Sequence, residues 1–347
     1  MARVITSSMA LGGALLLLWL VLSITAPQGK GATDIIFVVT PGDSFGRVID
    51  NLEEADILKA TSAFKLWAGF TGLPKHVQTG EYHIPAHVSV MKLVQALRHG
   101  LLLAPDTVFT VIEGWNLRDI GFAFERAGLA QAEEFWELAG FPAVADYHTT
   151  DLPAPYAFAA EFEFLQDRPR GAGLEGYLFP DTYHFPKGQS VHESIRMMLK
   201  NFDQKVSPAL RREIVQAGHS LHEIMVVASL IEREVREPQD RAKVSDIIWR
   251  RLGAGMPLQL DATINYITGG NAAAVLLKDT QLDSPYNTYR YAGLPPAPIS
   301  NPGLETIYAA LNPASNDFWY YLSAPSGTTI FSRNFAEHVG AKVKYLR

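Results

Sequence analysis

The segment that most constrains the fold is Ser220–Pro238, which predicts a buried helix with the sequence S-L-H-E-I-M-V-V-A-S-L-I-E-R-E-V-R-E-P. Ser220 followed three residues later by Glu223 has the spacing of a capping box, and Pro238 predicts where the helix stops. The residues between are apolar on nearly every side, and a helix of that kind belongs in a protein core. We therefore expect much of the chain to pack around this helix.

The last turns of this helix carry two carboxylates, Glu232 and Glu234, which point about 200° apart because each helical residue turns roughly 100°. Glu232 has Arg236 four residues on, in the order that favours an ion pair. Glu234 has apolar neighbours on its own face and Pro238 at the i+4 position, so no cation follows it along the helix. Desolvation should raise the pKa of Glu234, which suits a general acid working near neutral pH. The alternative is that both carboxylates are solvated residues at a frayed helix end.

The composition describes a globular protein with room for two domains in 347 residues, because 48% of them are apolar and 19% are charged. The net charge of −6 argues against a nucleic-acid-binding protein. The chain has no cysteine, which excludes disulfides, thiolate metal sites and a cysteine nucleophile.

An uncharged run of 18 residues, Met9–Ala26, is close to the minimum length that spans a bilayer. Cleavage as a signal peptide after Ala26 is the alternative, but Ile24 fits poorly at the −3 position of a cleavage site. We predict an uncleaved anchor at 9–26, with 1–8 in the cytoplasm and the remainder outside it.

An α/β pattern occurs twice along the chain. F-V-V-T-P-G-D-S at Phe37–Ser44 parallels F-T-V-I-E-G-W-N at Phe109–Asn116, 72 residues on. The segment Glu81–Val90, which includes the end of a strand predicted at Thr79–Ile84, parallels Thr182–Val191, so the second copy is interrupted by extra residues inside Tyr147–Gly176. We interpret these segments as two copies of one small unit, the second merged into a larger domain; chance similarity is the alternative.

Further helices are predicted at Gln189–Phe202, Pro208–Gln216, Arg241–Leu252 with Asp240 as its cap, Gly303–Leu311 and from about Asn334, with a hairpin at Phe318–Leu322 and Thr328–Phe331. The long loop Ser284–Pro302 lacks the composition of a disordered segment, which is typical of a functional loop. The aromatic segment Leu174–Tyr183 is either a buried strand and turn or the wall of a sugar-binding cleft.

Common catalytic motifs are absent from the sequence: no GxSxG, HExxH, P-loop or GxGxxG occurs. His83 and His87 are four apart, but Pro85 between them excludes a helical metal pair. His219 and His222 have no clustered ligands, so a surface position is expected and no metal site is predicted. Acid–base chemistry by carboxylates is the class that the sequence favours.

Four blocks resemble the endolytic murein transglycosylases of the YceG-like family, in the order in which that family has them: L-E-G-Y-L-F-P-D-T-Y, A-S-L-I-E-R-E, R-L-G-A-G-M-P-L-Q-L-D-A-T and S-P-Y-N-T-Y-x-x-x-G-L-P-P. The resemblance covers essentially the whole chain. It implies an α+β protein with a LysM-like module at 33–103 and a mixed, mainly helical catalytic domain at 104–347. The implied activity is that of a lyase acting inside nascent peptidoglycan strands, which leaves 1,6-anhydro-muramoyl ends without using water and stops strand elongation.

The same resemblance assigns the catalytic acid to Glu234, the second glutamate of A-S-L-I-E-R-E. Gln259, Asn287 and Tyr289 are candidates for sugar contacts, and Glu175 for a supporting role beside them; hydrogen bonding within a loop or the core is the alternative for each. No metal or organic cofactor is implied. The expected partners are glycan strands, the bacterial inner membrane and peptidoglycan synthases, with the catalytic domain in the periplasm and no nucleic acid.

Two other functions remain open from the sequence. A hydrolytic muramidase would pair Glu234 with a second acid, such as Asp261 or Glu175. A non-catalytic scaffold would use the repeated α/β unit to bind peptidoglycan. The mass of the products distinguishes a hydrolytic muramidase from a transglycosylase. Substitution of Glu234 distinguishes a non-catalytic scaffold from an enzyme.

Overall fold

The structure is a computed structural model, and it describes residues 18–28, 35–85, 87–99, 106–169, 171–186, 188–270 and 275–346. The chain divides into two compact units. The first comprises residues 1–107 and 184–188, and the second comprises 108–183 and 189–347. The predicted module at 33–103 falls within the first unit, while its likeness to LysM stays a prediction.

Between Ile35 and His99, the described residues of the first unit form one antiparallel strand pair and three α-helices. They are β1 (Ile35–Val39), α1 (Phe45–Glu54), α2 (Thr61–Thr71), β2 (Gly80–Ile84) and α3 (Val90–His99). Phe37 of β1 pairs with Tyr82 of β2, and both side chains are buried. Leu52, Phe64 and Leu93 bring the three helices into the same core, so the unit has an apolar centre of its own.

The second unit is mainly helical. Its elements are β3 (Thr107–Thr110), α4 (Leu117–Arg126), α5 (Ala132–Ala139), β4 (Thr182–Phe185), α6 (Val191–Lys205), α7 (Pro208–Gln216), α8 (Leu221–Glu234), α9 (Pro238–Gly253), α10 (Asp261–Thr268), α11 (Leu304–Leu311), β5 (Tyr320–Ser323), β6 (Thr329–Ser332) and α12 (Phe335–Tyr345). Strands β3 and β4 form one two-stranded sheet, and β5 and β6 form another. The prediction of a mixed α+β fold with a helical centre is confirmed.

The two halves of the predicted repeat have the same order of elements, namely strand, helix, helix, strand and helix. Helix α4 begins and ends 72 residues after α1, which is the spacing seen in the sequence. In each copy the first strand pairs with the second, and the extra residues of the second copy form short 3₁₀ helices between α5 and β4.

Polar caps set the starts of several helices. The side chains of Ser44, Ser190, Ser207 and Asn334 each accept a hydrogen bond from a backbone N–H in the first turn. These caps satisfy N–H groups that have no partner inside the helix. Local sequence therefore determined these boundaries, and those of α6, α7 and α12 lie within a few residues of the prediction.

The predicted anchor Met9–Ala26 is described in part, since residues 9–17 lie outside the described residues. Residues 18–25 are helical, and Leu18 and Leu22 are exposed. Within the described ranges, no single helix has the length and apolar character of a membrane span. Helices α7 and α8 together have the length and apolar character of a span, but the pair bends by 95° at its junction. The anchor stays a prediction.

Candidate active site

Helix α8 lies at the centre of the second unit, as its apolar circumference predicts. Every residue from Ile224 to Ile231 is at most 1% exposed, and the helix packs against α7, α9, α10 and α11. Ser220 and Glu223 form the predicted capping box. The buried run thus holds the carboxyl end of α8 in a fixed position.

The end of α8 differs from the prediction. The helix stops at Glu234, because Val235 takes an extended conformation, and Pro238 begins α9 instead of ending α8. Proline suits the first turn of a helix, where its missing N–H leaves no bond unmade. Asp240 lies in the first turn of α9 and does not cap it; Glu237 stands at the N-cap. Glu234 is therefore the last helical residue, at the point where the chain turns.

A cleft of about 800 Å³ opens at this turn. Its walls come from the end of α8, the segment that leads into α10, the start of β5 and one face of α12. Acidic side chains lie in it beside basic ones: Glu113, Glu232, Glu234 and Asp261, with Arg233, Arg236, Arg251 and Lys342. A concave site with convergent polar groups is the arrangement expected of a binding or catalytic site.

Glu234 lies half-buried in the wall of this cleft. Its Oε1 accepts a hydrogen bond of 3.2 Å from the backbone N–H of Ala262, in the first turn of α10. Burial raises the pKa of Glu234 to about 7, and the charge of Asp261 acts in the same direction. The Ala262 bond and Arg233 oppose this rise. The predicted upward shift in pKa is confirmed, and desolvation is its main cause.

Glu232 has a different role in the structure, and its predicted ion pair with Arg236 is wrong. The carboxylate pairs with Arg241 of α9 at 3.3 Å, and both side chains are at least 90% buried. It also accepts hydrogen bonds from Gly303 N–H and the Thr306 hydroxyl at the start of α11. Glu232 thus joins three helices, whereas the Glu234 carboxyl has a single hydrogen bond, from Ala262, among the described residues.

Asp261 and Tyr289 form a pair inside the cleft. The Tyr289 hydroxyl donates to Oδ1 of Asp261, the first residue of α10. Burial and this carboxylate raise the pKa of Tyr289 above its ordinary value, so the phenol stays protonated. The pair places a carboxylate and a phenol beside Glu234.

Gln259 lines the same cleft with an exposed side chain. Its φ of +54° lies in the left-handed region, and its N–H donates to the Thr288 carbonyl at 3.1 Å. A non-glycine residue in that region is strained, and such residues cluster at functional sites. The structure thus brings Glu234, Gln259 and Tyr289 together, as predicted for site residues.

Asn287 lies outside the cleft and is wholly buried. Its Nδ2 donates to the carbonyl oxygens of Thr280 and Leu282, at 3.0 and 2.8 Å, and its Oδ1 accepts from Tyr289 N–H at 3.0 Å. Asn287 therefore shapes the loop that presents Tyr289.

Glu175 is also buried away from the cleft. It accepts hydrogen bonds from Leu117 N–H, at the start of α4, and from the Tyr266 hydroxyl of α10 at 3.0 Å. Burial raises the pKa of Glu175 to about 8. The aromatic segment Leu174–Tyr183 packs in the core, with Tyr177 fully buried, which matches the structural alternative for that segment.

Sequence reasoning missed helix α10 and three cleft residues: Glu113, Tyr321 and His338. Helix α10 is short and starts at Asp261 without a side-chain cap. Glu113 stands in the first turn of the second repeat, and Tyr321 and His338 come from the C-terminal hairpin and helix. Their approach to α8 depends on tertiary packing, for which the local sequence carries no signal.

His222 was expected at the surface, yet it is partly buried. Its ring contacts the Tyr177 hydroxyl at 3.1 Å and the Pro296 carbonyl at 2.9 Å.

As for metals, the ranges that the structure describes contain no group of three or more His, Asp and Glu side chains placed to hold an ion.

Comparison with known proteins identifies the family. The model of the YceG-like family matches residues 37–344. A Bacillus subtilis (strain 168) protein named endolytic murein transglycosylase is 31% identical over 329 residues, which cover 93% of this chain and 88% of that relative. A protein of the same name from Streptococcus pneumoniae serotype 2 (strain D39) is 27% identical over 326 residues; the match covers 88% of this chain but 58% of that relative's length.

Among solved structures, the crystal structure of a YceG-like protein from Listeria monocytogenes has a similar fold. Its TM-score is 0.59 at 28% identity, and the match covers 89% of this chain and 99% of the Listeria chain. The family match over most of the sequence, together with the identity to the Bacillus protein, shows that this chain belongs to the YceG-like family.

Proposed function

We propose that the protein is a peptidoglycan lytic transglycosylase, a lyase that cleaves the bond between N-acetylmuramic acid and N-acetylglucosamine within glycan strands. The observation that carries this proposal is the position of Glu234, half-buried in a cleft with its pKa raised to about 7. A carboxyl group in that state is protonated on a large fraction of molecules near neutral pH, as a general acid must be. The names of the related proteins support the same activity.

In the proposed reaction, protonated Glu234 donates its proton to the glycosidic oxygen while positive charge develops at C1 of the muramoyl residue. The carboxylate that results takes the proton from the C6 hydroxyl of the same sugar as that oxygen attacks C1. The product is a 1,6-anhydro-muramoyl end, and no water is consumed. An intramolecular nucleophile gains from proximity and removes the need for a second catalytic carboxylate.

Gln259 and Tyr289 are the proposed sugar contacts, because both line the cleft that contains Glu234. Asn287 and Glu175 support the site from behind it. Asn287 holds the loop that carries Tyr289, and Glu175 holds Tyr266 on the helix whose first turn contacts Glu234. Asn287 was predicted to contact sugar, but its burial outside the cleft favours this supporting role, and Glu175 keeps the supporting role predicted for it.

The proposed setting is the outer face of the bacterial inner membrane. The segment Met9–Ala26 would anchor the chain, the module at 33–103 would contact peptidoglycan, and the catalytic domain at 104–347 would act in the periplasm. This arrangement suits an enzyme that cuts nascent strands beside peptidoglycan synthases and so ends their elongation. The anchor is inferred from the uncharged run Met9–Ala26, and the rest of this arrangement is inferred from the family resemblance.

Hydrolysis is a second candidate function, and the position of Asp261 favours it, because this carboxylate lies in the same cleft as Glu234. A hydrolase would use Asp261 to activate water or to stabilise the sugar cation. The hydrogen bond from Tyr289 to Asp261 favours a structural role instead, since it occupies one of the carboxylate oxygens.

Substitution of Glu234 tests the proposal. We expect Glu234→Gln to reduce cleavage of purified, peptide-free glycan strands by a factor of about 10²–10⁴, the contribution typical of a general acid or base. Glu237→Gln is the matched control, because Glu237 is an exposed carboxylate three residues on. Equal cleavage by wild type and Glu234→Gln, with both proteins folded, would refute the assignment.

A further inference from the structure

Two cleft residues carry buried polar atoms that have no hydrogen-bond partner among the described residues: Oη of Tyr321 and Nδ1 of His338. Buried polar groups are nearly always bonded, so each exception calls for an explanation. His338 stacks on Tyr320 and faces the cations Lys342 and Arg251. Tyr321 lies in the same cleft as Glu234, two residues from Ser323, whose hydroxyl bonds to Glu234, which makes Tyr321 the stronger candidate for a role in the reaction.

Two hydrogen bonds fix Tyr321 relative to the end of α8. Two residues after it, the Ser323 hydroxyl donates to the main-chain carbonyl of Glu234 at 2.7 Å. Two residues before it, the Trp319 carbonyl accepts from Nε of Arg251 at 2.8 Å. Strand β5 is thereby held on both sides of Tyr321, against α8 and α9. These bonds fix the backbone of Tyr321 beside the end of α8, and its side chain lines the same cleft as Glu234.

Helix α12 packs against β5 and brings His338 and Lys342 to the cleft, and four further groups act on Tyr321 by their charge. They are Glu234 of α8, Arg251 of α9, Asp261 of α10 and Tyr289 of the long loop. Burial and the charge of Glu234 hold the pKa of Tyr321 well above its ordinary value. The phenol is therefore neutral throughout the working range and keeps its O–H as a donor.

The Glu234 carboxyl has room for such a donor. Among the described residues its side chain accepts one hydrogen bond, from Ala262 N–H to Oε1, and its Oε2 accepts none. A protonated carboxyl does not require a second donor, but a half-buried carboxylate is stabilised by one, because solvent compensates its charge only in part. The phenol can thus donate a hydrogen bond, the second carboxyl oxygen of Glu234 can accept one, and both groups lie in the same cleft.

We propose that Tyr321 is a positioning residue whose hydroxyl donates a hydrogen bond to the Glu234 carboxylate once Glu234 has given up its proton. This inference rests on the proposed function of Glu234. The bond stabilises the form of Glu234 that must next accept the C6 hydroxyl proton. The phenol keeps its own proton throughout, so it acts through Glu234 and exchanges nothing with the sugar.

The direct test is the titration of Glu234 in the free protein, followed by NMR of ¹³C-labelled glutamate carboxyl groups and assigned with Glu234→Gln. Because Tyr321→Phe removes a donor to the ionised form, the pKa of Glu234 should rise by about half to one pH unit. Tyr308→Phe is the matched control, since Tyr308 is an exposed phenol outside the cleft, and it should leave that pKa unchanged. An unchanged pKa in Tyr321→Phe would overturn the inference.

Activity gives a second readout. In Tyr321→Phe the pH above which glycan cleavage falls should increase by the same amount as the Glu234 pKa. If the role of Tyr321 were merely structural, the substitution would lower the rate at every pH and would not change the pH above which cleavage falls. Tyr321→Leu gives a second apolar variant in case Tyr321→Phe does not fold, and thermal unfolding shows which variants are native.

The two proposals fail in different ways. If wild type cleaves no glycan while the Glu234 titration still moves in Tyr321→Phe, the proposed function is wrong and the hydrogen bond stands. If wild type forms anhydro ends and Glu234→Gln does not, but the titration stays fixed in both Tyr321 variants, the hydrogen bond alone is wrong.

Discussion

The backbone N–H of Ala262 lies 3.2 Å from Oε1 of Glu234, so the first turn of α10 meets the last residue of α8. The amino end of a helix stabilises negative charge, which opposes the effect of burial on Glu234. Burial is the larger of the two effects, and the pKa settles at about 7. This balance gives a carboxyl group that can both donate and accept a proton near neutral pH.

Cleavage should depend on pH through Glu234. The protonated form is the proton donor, and it is lost as pH rises through about 7. We therefore expect the rate on saturating glycan to fall about tenfold for each pH unit above that value. Initial rates of glycan cleavage between pH 5 and 9 measure this pH dependence. Circular dichroism at each pH checks that the protein is folded. A rate that keeps rising up to pH 9 would contradict a protonated Glu234 as the acid.

Asp261→Asn should lower the pH above which cleavage falls, whereas Tyr321→Phe should raise it. The charge of Asp261 raises the pKa of Glu234, so its removal should lower that pKa by about half a unit, while asparagine still accepts from Tyr289. The rate near pH 6 should fall less than about tenfold. The pH profile of the variant is the measurement. A loss of 10²-fold or more at every pH would instead make Asp261 a catalytic group, as hydrolysis requires.

Arg241→Ala should destabilise the fold by about 3 kcal/mol or more, because it leaves the buried Glu232 carboxylate without its cation. Arg290→Ala is the control, since Arg290 and its partner Asp283 are both exposed, and pairs between exposed residues contribute little. Chemical denaturation of both variants at neutral pH gives the two free energies of unfolding. Similar values for the two variants would show that the Glu232–Arg241 pair is not structurally important.

Glu175 should make the free energy of unfolding depend on pH. Its pKa is about 8 in the folded protein and about 4.5 in the unfolded chain, so folding favours the protonated form. Stability from this group is fully present below pH 4.5 and is lost as pH rises through about 8. Glu175→Gln keeps the side-chain shape without the charge.

Denaturation at several pH values between 4.5 and 8 tests this dependence. The slope of stability against pH should be shallower in Glu175→Gln than in wild type. Glu234→Gln removes the similar contribution of Glu234, which ends near pH 7, and so separates the two groups. Equal slopes in wild type and Glu175→Gln would show that Glu175 is ionised in the folded protein.

Local sequence predicted the parts of the fold that local interactions determine. The capping box at Ser220 and Glu223, the buried run of α8 and the repeat of α1 in α4 follow from patterns within a few residues or from internal similarity. Glu232 and Glu234 both line the cleft, but the structure ties the Glu232 carboxylate to Arg241 in the interior, in agreement with the opposite directions of the two side chains on the helix.

Contacts between distant segments were not predictable in this way. The partner of Glu232 is Arg241 of the next helix, not Arg236 on its own helix, because the chain turns after Glu234 and brings α9 back along α8. The strand that carries Tyr321 is joined to Glu234 by the bond from Ser323, which connects residues 89 positions apart. Such a bond leaves no periodic signal in the sequence, and without it Tyr321 is one tyrosine among 13.

The most direct test of the account is a mass measurement on products formed in ¹⁸O-labelled water from purified, peptide-free glycan strands. Because the C6 hydroxyl is the proposed nucleophile, wild type should give muramoyl ends one water lighter than hydrolysed ends, without the label, and Glu234→Gln should give almost none. Muramoyl ends that carry the label at C1 would show that water attacks the sugar, and would contradict the proposed transglycosylase mechanism.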